Sequence, residues 1–215
     1  MPIMMDYQIN NAFLTELQEE DEKLRAWDKL NAAIKFAVEK HAFMTRKGAQ
    51  TPYIVHPLEA LAIAAGMTED KEVLAAAVLH DVLEETDATE EEIKKKFGER
   101  VLELVLSDSE DKRGDDPAAE TWQIRKQETI DFLAGGADRD AKIIALADKL
   151  ANLRSIWADQ AKIGDALWER FNMKDKEMHR WYYSAVADAL ADLDSTERLC
   201  PAYREYVELI GKVFG

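Results

Sequence analysis

At 215 residues the chain is long enough for one substantial hydrophobic core and short for two independent domains. Its 43 acidic side chains against 28 Lys and Arg give a formal charge of -15. That balance speaks against an electrostatic nucleic-acid or anionic-membrane binder, so an anionic substrate has to be drawn by a local basic patch or by a metal. The single cysteine, Cys200, excludes an internal disulfide, and the start Met1-Pro2-Ile3-Met4-Met5-Asp6 lacks the basic-then-apolar pattern of a signal peptide. No apolar run is long enough to span a bilayer, and a soluble cytoplasmic protein is expected.

Residues 1–10 carry no periodic pattern and read as a loose arm. From about Phe13 to Ala42 the apolar positions recur at helical spacing, with Leu24, Trp27, Leu30, Ala33, Ile34, Ala37 and Val38 as one stripe. A loop follows, marked by Gly48 and Pro52 and carrying the cations Arg46 and Lys47. Pro57 fits the first turn of the next helix, where its missing N–H costs nothing, which places His56 at a helix mouth with an extended backbone. Helices are predicted over about Pro57–Ala65 and Lys71–Glu85. Thr89 with Glu92 three later is a capping-box pattern opening a helix that Gly98 stops, and a short helix covers about Arg100–Leu106.

Residues 107–120 are polar, contain Gly114 and Pro117, and read as a surface loop. Trp122, Arg125 and Lys126 begin a helix that runs to about Ala134 and ends at Gly135-Gly136. A long helix is predicted from Asp138 to about Ile163. The last third reads as two helices, about Lys174–Ala191 and Thr196–Phe214, the second capped by Ser195. No strand alternation or hairpin turn is convincing, so the fold class is all-α: a single bundle of roughly eight to ten helices.

Two of these helices carry charge where charge is unfavourable. The run Ala75–Leu79 is apolar all round yet ends in His80-Asp81, with Glu84 and Glu85 one turn on, and Asp148 interrupts the apolar run Ile143–Leu153. Burying such groups without partners costs several kcal/mol each, and a divalent metal is a fitting partner. Singly, His56 reads as well as a helix cap, and Asp148 as a salt-bridge partner of Lys149 or Arg154. Together, His56, His80, Asp81 and Asp148 form a mixed nitrogen and oxygen set suited to Mn²⁺, Fe²⁺ or Zn²⁺, with open positions left for water and substrate. His41 and His179 read as supporting or structural.

These residues resemble the ligands of the HD metal-dependent phosphohydrolases. The longer strings are similar to the hydrolase domain of the Rel/SpoT alarmone enzymes over about residues 30–160. They are His41 followed by Arg46-Lys47-Gly48, then Thr51-Pro52-Tyr53-Ile54-Val55-His56-Pro57, His80-Asp81-Val82-Leu83-Glu84-Glu85-Thr86 and Leu146-Ala147-Asp148-Lys149-Leu150-Ala151-Asn152-Leu153-Arg154. Ser109-Glu110-Asp111-Lys112 with Trp122, Arg125 and Lys126 is similar to bacterial members of that group. With no synthetase or regulatory domain following, the chain looks like a stand-alone small alarmone hydrolase. One domain over 1–215 is expected, with a metal-site core at about 30–160 and C-terminal helices at about 172–214 packed on it.

The resemblance implies Mn²⁺-dependent removal of the 3′-pyrophosphate from ppGpp or pppGpp, giving GDP or GTP plus pyrophosphate. It also implies His56, His80, Asp81 and Asp148 as metal ligands and Glu84, assisted by Glu85, as the group that orients or deprotonates water. Arg46, Lys47, Asn152, Lys112, Lys176, Arg180 and Tyr183 are the expected substrate contacts. One departure is visible: the family usually has Glu-Asp where this chain has Glu84-Glu85, and the extra methylene moves the second carboxylate by about 1.5 Å. Other readings are an HD phosphatase acting on another nucleotide such as NADPH, or a catalytically silent nucleotide sensor. The expected partner is a small nucleotide rather than nucleic acid or membrane, and the oligomeric state is left open, a homodimer included.

Overall fold

The structure is a computed structural model that describes the backbone over residues 3–110, 117–195 and 199–215, and side chains from residue 18 onward. The described residues form ten α-helices and two short 3-10 helices, and no strand. The helices are α1 Ile3–Lys40, α2 Val55–Ala65, α3 Lys71–Leu79, α4 Val82–Glu85, α5 Glu90–Phe97, α6 Glu99–Asp108, α7 Ala118–Gly135, α8 Arg139–Ile163, α9 Lys176–Ala189 and α10 Pro201–Phe214. The 3-10 turns are Gly164–Arg170 and Ala191–Leu193. The all-α expectation and the helix number are borne out.

Two helices form the axis of the fold because they are apolar on every side. Every residue of α3 from Val73 to Leu79 is buried, as is every residue of α8 from Ala141 to Ala151, the charged Asp148 and Lys149 among them. Helices α1, α2 and α6 pack around α3, while α2 and α10 flank α8. Each fully buried Val, Leu or Ile contributes on the order of 1.5–3 kcal/mol, so this axis is where the stability concentrates. The second half of α10 joins it through an aromatic group in which Phe214 packs on Trp168 and Tyr183.

Helix ends follow the capping chemistry. Thr89 and Glu92 make the reciprocal bonds of a capping box at the start of α5, and Asp138 accepts from the Ala141 N–H at the start of α8. Asp70 caps α3 and is in turn held by Arg100, which reaches Asp70 at 2.8 Å, Glu72 at 2.9 Å and Asp140 in the first turn of α8 at 2.8 Å. Arg100 thus ties α6 to the starts of both central helices. Burial raises the Asp70 pKa, but the Arg100 guanidinium and the Glu72 N–H outweigh it and hold the carboxyl below its usual range. Lys29 and then Arg100 do the same for Glu72 against burial.

Arg100→Leu is therefore expected to cost about 1–2 kcal/mol, after discounting for a guanidinium that is partly solvent-screened. This is read as a fall of a few degrees in Tm. Because both carboxyl pKa values are depressed in the fold, the stabilisation is present above about pH 4, the unfolded carboxylate range, and fades as pH falls through the folded values. Melting curves of wild type and variant should converge in acid.

Several sequence expectations are corrected. The unpatterned arm is helical from Ile3 onward. Of the α1 stripe, Leu30, Ala33 and Ala37 are buried, but Leu24, Trp27 and Val38 are exposed, with Lys71 lying over the Trp27 ring at 4.5 Å. The helix expected over Lys71–Glu85 is interrupted at His80 and Asp81, so the His-Asp pair sits at the junction of α3 and α4. His56 lies inside the first turn of α2, which begins at Val55, and not in an extended segment before it. The polar stretch after residue 106 is not all surface loop, because the Asp108 and Glu110 side chains are only 5% and 11% exposed and Ala118–Glu120 already belong to α7. The last helix starts at Pro201 with Cys200 in the capping position, so Ser195 does not cap it.

Candidate metal centre and cavity

Four side chains from three parts of the sequence meet at one point. His56 Nε2 lies 3.0 Å from Asp148 Oδ1 and 3.4 Å from Asp81 Oδ2, and His80 Nε2 lies 3.3 Å from Asp81 Oδ2 and 3.4 Å from Asp148 Oδ1. The two ring nitrogens face each other at 3.1 Å. His56 comes from the first turn of α2, His80 and Asp81 from the α3–α4 junction and Asp148 from the middle of α8. The interruption after Leu79 lets consecutive residues His80 and Asp81 address the same point.

The outer contacts fix these groups as donors of electron pairs. His80 donates Nδ1–H to the Ala77 carbonyl at 2.8 Å, leaving its Nε2 lone pair for the centre when the ring is neutral. Tyr53 donates its hydroxyl to Asp81 Oδ2 at 2.7 Å. Asn152 donates to Asp148 Oδ1 at 2.7 Å, and the Lys149 ammonium pairs with Asp148 Oδ2 and reaches Asp108 at 3.3 Å. Two carboxylates, Asp148 and Asp108, therefore share a single ammonium, and Asp81 adds a third negative charge against the two imidazoles.

The electrostatics follow from that imbalance. Burial lowers the pKa of His80, but Asp81 and Asp148 outweigh it and hold the ring's pKa well above the usual imidazole value. Burial raises the pKa of Asp81, while His80 and His56 hold it well below the carboxylate range, and Asp148 is held low against burial by Lys149 and the two imidazoles. Such a field answers to a cation. Two imidazole nitrogens, each in contact with both carboxylates, fit a divalent transition metal, and the ligand atoms of His56, His80 and Asp148 lie within 4.8 Å of one another.

The centre opens onto a cavity of about 700 Å³. Glu84 and Glu85 lie on its wall, Glu84 Oε1 accepting the Glu110 N–H at 2.7 Å. Arg46 and Lys47 line it from the loop between α1 and α2, where the backbone closes through the Thr45–Pro52 bridge. Gly48 completes that loop with φ +69°, a backbone conformation that favours glycine, and a Cβ there would come within 2.5 Å of the Arg170 side chain and displace it. Arg46 donates to Asn152 Oδ1 at 2.6 Å, giving a continuous chain Arg46–Asn152–Asp148.

Of the remaining expected substrate contacts, Tyr183 is buried and borders the cavity. Lys176 and Arg180 do not border it: Lys176 sits 3.7 Å from Asp165, and Arg180 sits 3.7 Å from Glu177 on the outer side of α9. Lys112 lies outside the described residues. The sequence reading missed Tyr53 as the partner of Asp81, the buried Asp108–Lys149 pair and Arg170. Lys149 was adjacent to a suspected ligand, but nothing local marks Asp108 as its partner 41 positions away.

Comparison with known proteins bears on this centre. A family model described as the HD domain matches residues 33–172, a span that contains all four converging side chains. The chain belongs to the HD-domain family. Similar proteins include the guanosine-3′,5′-bis(diphosphate) 3′-pyrophosphohydrolase MESH1 of Drosophila melanogaster, 40% identical over 132 residues that cover 60% of this chain and 69% of that protein. MESH1 of Xenopus tropicalis is 38% identical over 138 residues, covering 60% and 73%. The guanosine-3′,5′-bis(diphosphate) 3′-pyrophosphohydrolase of Aquifex aeolicus is 36% identical over 146 residues, and the match spans only 20% of its length. A solved structure described as a metazoan ortholog of SpoT that hydrolyzes ppGpp superposes with a TM-score of 0.66 at 29% identity, covering 86% of this chain and 94% of that one. The resemblance read from the HD motifs is borne out.

Proposed function

We propose that this HD domain is a metal-dependent (p)ppGpp hydrolase that removes the 3′-pyrophosphate to give GDP or GTP and pyrophosphate. The observation that carries the reading is the convergence of His56, His80, Asp81 and Asp148 within 3.0–3.4 Å beside Glu84, on a cavity lined by Arg46 and Lys47. The relatives named for this reaction support it. Mn²⁺ is the metal we assign, held by those four side chains, and such an ion draws charge from a phosphate and acidifies a water.

The chain's own groups do the rest. Glu84, kept in register by the Glu110 N–H, takes the proton of the attacking water. Glu85 on the same wall assists in orienting it. Arg46 and Lys47 neutralise phosphate oxygens in an otherwise acidic protein, and Asn152 is aligned between Arg46 and Asp148 to contact the ribose or phosphate. Tyr183 supplies part of the buried cavity wall. We further propose that α9 and α10 belong to the same hydrolase unit and that the protein works in the cytoplasm. Among the described residues no helix is long and apolar enough to cross a membrane.

The test is incubation of purified protein with ppGpp and Mn²⁺, following GDP and pyrophosphate by anion-exchange chromatography with an EDTA control. Metal-dependent appearance of both products is expected; no turnover with metal bound would sink the reading in favour of another nucleotide. Two loop variants separate binding from catalysis. Lys47→Ala should raise KM roughly 10-fold with kcat nearly unchanged, whereas Arg46→Ala should raise KM and also lower kcat by about 10-fold, because it removes the guanidinium that braces Asn152 Oδ1 while Asn152 holds Asp148.

A further inference from the structure

The cavity has a second cationic wall that the reaction as proposed leaves unused. Arg125 and Lys126, adjacent on α7, both close on Glu110, with Arg125 Nη1 at 2.6 Å and Lys126 Nζ at 2.5 Å from its two oxygens. All three line the cavity, and their side chains are only 11–18% exposed. Among the described residues these two cations pair with one carboxylate, a mostly buried positive excess at that contact in a chain whose net charge is -15. Such an excess is unfavourable unless an anion completes it.

A second observation points the same way. The Tyr182 hydroxyl is buried, borders the cavity and has no hydrogen-bond partner among the described residues, and the Lys126 ammonium sits 4.8 Å from the centre of the Tyr182 ring. Arg125 is further braced by Thr121 Oγ1 at 3.3 Å and the Ala118 carbonyl at 3.2 Å, so its guanidinium is held ready. Through the Glu110 N–H this wall is also registered to Glu84.

We propose that Arg125, Lys126 and Tyr182 form the seat for the far phosphate of the 3′-pyrophosphoryl group, with Glu110 occupying the cations until that phosphate displaces it. The inference rests on the hydrolase reading above. In that reaction the bond between O3′ and phosphorus breaks, the water oxygen goes to phosphorus, and O3′ receives a proton. The pyrophosphate so formed keeps its far phosphate on a guanidinium, an ammonium and a phenol hydroxyl, and a single 3′-phosphate has no group to place there. The seat thus selects pyrophosphate over orthophosphate.

The experiment is calorimetric titration of inorganic pyrophosphate and orthophosphate into the Mn²⁺-loaded protein at fixed free metal, with ppGpp hydrolysis assayed in parallel. Wild type should prefer pyrophosphate by about 10-fold or more. Lys126→Met and Arg125→Met should lose that preference, Tyr182→Phe should lose part of it, Lys126→Arg should restore much of it, and Glu110→Gln should bind pyrophosphate more tightly. A purely structural ion cluster would instead make Glu110→Gln weaker. Melting curves check folding, and Tyr182→Phe, which removes only a hydroxyl, decides the matter if a cation variant fails to fold. Unchanged preference in the variants, or none in wild type, overturns the seat even if ppGpp is hydrolysed. Pyrophosphate selectivity without ppGpp hydrolysis would instead overturn the hydrolase reading and leave the seat standing.

Discussion

Asp81→Asn is expected to abolish turnover and metal retention together, with activity falling roughly 10³-fold or more, about 4 kcal/mol of transition-state stabilisation. The substitution keeps the side chain's shape and an oxygen for the Tyr53 hydroxyl, so the fold should survive. What it removes is one of the two negative charges in direct contact with His56 and His80. Metal content after dialysis, measured by elemental analysis beside a ppGpp assay, checks it. A variant that keeps both its metal and its turnover would remove Asp81 from the ligand set.

Glu84→Gln separates the metal from the proton transfer. The amide still presents an oxygen to the Glu110 N–H, and Glu84 is not among the four converging groups, so the metal should stay. The loss of a proton acceptor should lower kcat by about 10²–10³-fold with KM close to wild type. Single-turnover kinetics on metal-saturated protein reads the chemical step directly. An unchanged rate would move the general-base role to another group, with Glu85 the nearest candidate on the same wall.

The parts of the site that were legible in sequence were those where chemistry contradicted its surroundings. Asp148 inside Ile143–Leu153 and His80-Asp81 after Ala75–Leu79 stand out because apolar helices rarely carry such groups, and they do converge. What local pattern cannot carry is phase and distance. On α9 the inward residues are His179, Tyr182, Tyr183 and Val186, a 3.6-residue rhythm that turns Arg180 outward although it is adjacent to His179 in sequence. The burial of Asp108 and Glu110 depends on Lys149, Arg125 and Lys126, cations supplied by later helices, so composition alone made those acids look like a solvated loop. The interruption at His80 was hidden for another reason: no Gly or Pro marks it, and the weak helix propensities of Val78, His80, Asp81 and Val82 do not by themselves break an otherwise apolar helical run.

Helix α8 has a consequence for which substrates fit. Asp148, Asn152, Ser155, Asp159 and Lys162 all border the cavity, and all lie on this one element. From Asp148 to Lys162 the helix axis advances about 21 Å at 1.5 Å per residue. The α8 side of the cavity is thus graduated like a ruler, with the candidate metal centre near one mark and the Lys162 ammonium near the other. Because that ruler continues the buried run Ala141–Ala151 and is anchored further by buried Leu153 and Ile156, its spacing cannot relax to suit a shorter or longer ligand. Length discrimination would then reside in a rigid helix, while the loops at either side supply charge, and altering the accepted span would mean altering α8 itself.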